Sequence, residues 1–145
     1  MHTLAAAGYA VVRDINKKRG GKLMPREGMF EYIKPEHRKR LHDKLMEAEN
    51  FFKHADRDHD ATLDFNPDLT DLFIMDACYR YAELTGEMPP LFQIYSGWMM
   101  MAYQELFVHP KDKQQEIAYL AKTFATSGRT SYFNEMLPVV MKNGI

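Results

Sequence analysis

The residues with the most chemistry per unit length are His54-Ala55-Asp56-Arg57-Asp58-His59-Asp60-Ala61-Thr62-Leu63-Asp64-Phe65. Counted from Asp56, carboxylates fall at loop positions 1, 3, 5 and 9, with the apolar Leu63 at position 8. That alternation is how a calcium loop converges side-chain oxygens on one hard cation. Two positions depart from it: Ala61 stands where a sharp turn needs glycine, and Pro67 where a bidentate Glu would supply two oxygens. The candidate ligands are His54, Asp56, Asp58, His59, Asp60 and Asp64, and the expected cation is calcium or magnesium. Zinc ranks below them, because only His54 and His59 offer the imidazole that suits a transition metal. The competing expectation is a polar interhelical loop whose acids are solvated or paired with Lys53 and Arg57.

A second chemical cluster is Lys34, His37, Arg38, Lys39, Arg40 and His42. Clustered cations can displace counterions from a nucleic acid. No aromatic residue is interleaved to stack on bases, and no helix-turn-helix or zinc-finger spacing accompanies the run. A solvated helix face is the plainer expectation. Catalytic sets are thin. Cys78 lies in an apolar stretch, where a thiol is inert. Asp68, Asp71 and Asp76 read as ordinary acids of a helix start and surface. Serine-nucleophile, phosphate-loop and dinucleotide signatures are missing.

The elements that must carry these groups are helical. Apolar residues recur at three- and four-residue spacing throughout, and no run alternates as a strand would. Leu4, Ala7, Val11, Val12 and Ile15 mark a first helix that ends in Lys17-Lys18-Arg19-Gly20-Gly21, basic residues at the negative dipole end and glycine after them. It starts almost at Met1 without a capping segment, which leads us to expect a truncated relative of something longer. One short helical turn is expected around Gly28–Ile33. A helix follows from Pro35 to about His54. Asn66-Pro67-Asp68 opens the next, which Gly86 stops and which is expected to be the most buried. Pro89-Pro90 starts another, apolar nearly all round, expected to run through Phe107. It is read as core, as core plus a homodimer face, or as the wall of a ligand pocket. Two amphipathic segments, Lys111–Thr126 and Ser131–Lys142, complete the chain, with Pro138 expected to kink or end the last. The predicted fold is all-α, an irregular bundle of five to six helices in a single domain over residues 1–145.

With 145 residues, 46% of them hydrophobic and 27% charged, the chain can bury a core without staples. One cysteine excludes an internal disulfide and suits a reducing, cytoplasmic setting. No run reaches the ~18 apolar residues of a membrane span. Net charge is −1, but residues 1–44 carry 11 Lys+Arg against 5 Asp+Glu, leaving the remainder acidic. Such a split fits a solvated surface, attraction within one fold, attraction between copies, or an anionic partner.

His2-Thr3-Leu4-Ala5-Ala6-Ala7 with Arg13-Asp14-Ile15, and Asn50-Phe51-Phe52-Lys53-His54-Ala55-Asp56-Arg57-Asp58, resemble uncharacterised bacterial all-helical proteins over about the first two thirds of the chain. That resemblance implies a helical fold and no established activity. More remotely the chain resembles HEPN bundles, which include RNases using an Arg, four to six residues, and then a His. Arg38 and His42 are separated by three residues and Arg57 and His59 by one, so the resemblance does not carry RNase activity over. The functional expectation is a non-catalytic cytoplasmic helical protein that binds a protein or small molecule and self-associates as a homo-oligomer. The alternative is a metal-dependent or HEPN-like nucleic-acid enzyme using the His54–Asp64 loop.

Overall fold

The computed structural model describes residues 2–19, 28–54, 60 and 62–142. Among them are seven helices: α1 (His2–Lys18), α2 (Gly28–Glu31), α3 (Pro35–Lys53), α4 (Asp68–Thr85), α5 (Pro90–Ala102), α6 (Gln114–Phe124) and α7 (Gly128–Lys142). The all-α expectation holds, and the one short turn expected near Gly28 is the four-residue α2. Among the described residues no helix is long and apolar enough to cross a membrane.

Helix α4 is central, as its all-round apolar sequence implies. Its N-terminus is ordered by Asn66, whose Oδ1 accepts the Asp68 N–H at 2.9 Å. Gly86 ends it in a left-handed conformation (φ 74°), donating its N–H to the Ala82 carbonyl. Against α4 pack α1, α2, α3 and α5, around a core in which Met29, Ile33, Met75, Met99 and Phe107 are fully buried. A second cluster of Ile94, Met101, Phe124 and Tyr132 joins α5 to α6 and α7. Trp98 packs against both. The methionine-rich stretch of α5 therefore forms core on two sides.

Three segments differ from the sequence reading, each for a physical reason. Helix α5 stops at Ala102 instead of Phe107. The backbone beyond it pairs with the α2–α3 junction, where Lys34 N–H donates to the Leu106 carbonyl (3.0 Å) and Val108 N–H to the Tyr32 carbonyl (2.7 Å). This short antiparallel bridge buries Phe107 completely. Helix α7 continues through Pro138 to Lys142, so of the two expectations for that proline, a kink or an end, the end is overturned. The carbonyl that proline leaves without a helical donor belongs to exposed Asn134, where water can satisfy it. In α1 the apolar stripe points the other way. Leu4, Val11 and Ile15 are 76%, 58% and 38% exposed, whereas His2 and Ala6 are buried. The small Ala5 and Ala6 bring α1 close to α4, and Tyr9 supplies the bulk by lying edge-on to Phe73 and over the Arg80 guanidinium (4.8 Å).

Candidate functional site

Helical spacing places His37, Arg40, Leu41 and Lys44 on one face of α3, where they form one wall of an open groove of about 370 Å³. The opposite wall comes from the chain entering α4, through Asp64, Asn66 and Leu69, and from Leu106 in the turn after α5. The bridge at the Lys34 and Val108 amides holds that turn beside the start of α3. Leu41, Leu69 and Leu106 give the groove an apolar floor, and Arg40 and Lys44 stand exposed above it. Volume and lining are those of a small-ligand or peptide site.

The basic cluster splits once its partners are named. Arg38 is committed to structure, with Nε on the Ile33 carbonyl (2.8 Å) and Nη2 on the Glu31 carbonyl (3.2 Å). His42 turns inward, its ring edge-on to Phe30 and its Nδ1 3.3 Å from Asp43 Oδ1. Lys39 pairs with Asp43 and Lys44 with Glu47, so acids alternate with cations along the outer face. That alternation dilutes the field a phosphate backbone would meet. Arg40 and His37 have no side-chain partner among the described residues, and both line the groove.

Of the six candidate metal ligands, His54, Asp60 and Asp64 are described, whereas Asp56, Asp58 and His59 lie outside the described residues. His54 is exposed at the C-terminus of α3, its N–H donated to the Asn50 carbonyl. Asp60 is exposed, and Asp64 lines the groove. Among the described residues no three His, Cys, Asp or Glu side chains come together as a metal-holding group.

Sequence reasoning missed the buried polar groups. Asp76 is not a surface acid: its Oδ2 accepts from Arg80 Nε at 3.0 Å, and both side chains are under a tenth exposed. Burial raises the Asp76 carboxyl above its ordinary range, an effect the guanidinium partly opposes. His2 is buried among the rings of Phe52, Phe65 and Phe73, with Nδ1 3.1 Å from Thr70 Oγ1. That burial lowers its pKa. Asp71 ties α7 to α4 by accepting from both Arg129 Nη atoms and from the Tyr95 hydroxyl (2.9 Å). The signal available for Asp76 and Arg80 was their four-residue spacing inside an otherwise apolar helix.

The thiol and the buried phenols are shifted upward by the same cause. Burial pushes the Cys78 thiol up to about 11 and the Tyr79 and Tyr103 phenols up to about 12. Tyr95 is raised as well, by burial and by its bond to Asp71. All four are thereby held protonated, the opposite of an activated nucleophile or base. No family model, curated protein or solved structure matches the chain.

Proposed function

We propose that the protein is a non-catalytic, cytoplasmic binding module whose groove between α3 and the α4 entry takes an acidic, amphipathic segment of a protein partner. One observation carries this reading: two cationic side chains and an imidazole stand over a leucine floor, with Arg40 and His37 lacking a side-chain partner among the described residues. A ligand carboxylate would meet Arg40, the apolar residue beside it would cover Leu41, Leu69 and Leu106, and Asp64 would accept a backbone N–H. Fluorescence anisotropy of a labelled peptide with Glu beside Leu and Phe tests it. Binding should be lost when Lys replaces Glu in the peptide, and weakened about tenfold or more by Arg40→Glu, a change of about 1.4 kcal/mol. Unchanged affinity in Arg40→Glu would remove the groove from consideration.

The second reading, a metal-dependent or HEPN-like nucleic-acid enzyme, is favoured by the position of Asp64 in the same groove as Arg40 and Lys44. RNA cleavage assayed with and without divalent cation separates the two. Cleavage that disappears in His54→Ala would replace the binding-module reading.

A further inference from the structure

The outer face of α1 has no role in the fold as described. Leu4, Val11 and Ile15 are the exposed large residues, and Gly8 completes a stripe with four-, three- and four-residue steps. Gly8 is the unexpected member. Glycine inside a helix is destabilising relative to alanine. Nothing among the described residues requires it, since a Cβ built there meets no atom within 4 Å. A bare backbone on an outward face is explained by close approach of another body.

We infer that this stripe is a self-association seam, on which α1 of a second copy of this chain lies antiparallel. In that register Leu4 packs against the partner's Ile15 and Val11 fills the gap over the partner's Gly8, and both pairings repeat on the other side of the two-fold axis. Charge selects the direction. Lys17, Lys18 and Arg19 crowd one end of α1, and the described helix has no acid in its first turn. A parallel copy would place two tribasic ends side by side. An antiparallel copy separates them by about 25 Å, the length of a 17-residue helix. It also carries each basic end toward the partner's Asp64, an exposed acid next to Phe65, whose ring lies 4.8 Å from that of His2. The basic end of one α1 and that carboxylate thus become complementary across the two-fold axis. One helix pair buries less than a standard interface of about 1,600 Å², so the dimer is a weak, concentration-dependent one. The apolar seam of Leu4, Gly8, Val11 and Ile15 shares no residue with the α3 groove.

Sedimentation velocity over about 10 to 500 µM at low salt should show a monomer–dimer equilibrium that shifts toward monomer as salt screens the basic ends. Val11→Glu should abolish the dimer and leave the thermal midpoint unchanged, because Val11 is exposed in the monomer. Gly8→Leu separates monomer from dimer most sharply: the monomer melts higher, since leucine is a better helix former, while dimerisation is lost. For direction, a Leu4→Cys chain mixed with an Ile15→Cys chain should cross-link under mild oxidation, and neither should cross-link with itself. A strict monomer throughout the range overturns the inference, as does a dimer that survives both Val11→Glu and Gly8→Leu. Self-cross-linking of the Leu4→Cys chain overturns the antiparallel direction.

Discussion

Replacing Arg80 with methionine is the sharpest test of how the core is held together. The guanidinium lies under the Tyr9 ring and donates from Nε to Asp76 at 3.0 Å, with side-chain exposures of 4% and 7%. Methionine keeps much of the apolar stem and removes the charge. Asp76 then retains only the long 3.4 Å hydrogen bond from the Met29 amide. Breaking one side of a buried ion pair costs about 3–5 kcal/mol, a large part of the roughly 5–15 kcal/mol that holds a domain folded. The pH dependence gives the sign. Burial already raises the Asp76 carboxyl above its ordinary value of 3.8, and losing the cation raises it further. A carboxyl raised in the folded state destabilises above its unfolded pKa, and the penalty is relieved as the pH falls through the folded value. Urea unfolding followed by circular dichroism should therefore show a deficit of about 3–5 kcal/mol at neutral pH that narrows on acidification. The double variant Asp76→Leu/Arg80→Met should recover most of it. A single variant within about 1 kcal/mol of the parent at neutral pH, or a deficit that grows on acidification, would refute the reasoning.

Three further outcomes are expected. His2 is held neutral by burial, so its contribution is complete above its unfolded pKa of 6.5 and is lost as the pH falls from there through the lowered folded value; His2→Phe should flatten that part of the stability-versus-pH curve. Gly97→Val should cost about 1–3 kcal/mol in urea unfolding, because even a Cβ at this position lies 2.7 Å from the hydroxyl of buried Tyr132. Calorimetric titration with calcium should show binding no tighter than about millimolar, since Ala61 and Pro67 replace the loop's turn glycine and bidentate acid; micromolar affinity would restore the His54–Asp64 loop as a metal site.

Helix positions were legible wherever apolar spacing coincided with a terminal signal. Asn66-Pro67-Asp68 and Gly86 bracket α4 as expected, and Pro35 opens α3. Which way a helix faces was not legible for α1, because its apolar stripe and its buried face are different. The inward contacts come from His2, Ala6 and Tyr9, which a hydrophobicity pattern ranks below Leu4 and Val11. The end of α5 was equally hidden: it is decided by hydrogen bonds to Tyr32 and Lys34, about 70 residues away. Half of the groove was visible as the basic run of α3. Its other half needed the fold, which brings Asp64 and Leu106 opposite Arg40, commits Arg38 to the Glu31 and Ile33 carbonyls and turns His42 inward.

The groove can be tested residue by residue. Amide chemical shifts of the labelled protein, followed during titration with the acidic Leu–Phe peptide, should move in one contiguous set at His37, Arg40, Leu41, Leu69 and Leu106, leaving the Gly128–Lys142 helix still. Shifts scattered over the surface, or confined to residues away from α3, would contradict the proposal that the protein is a binding module working through that groove.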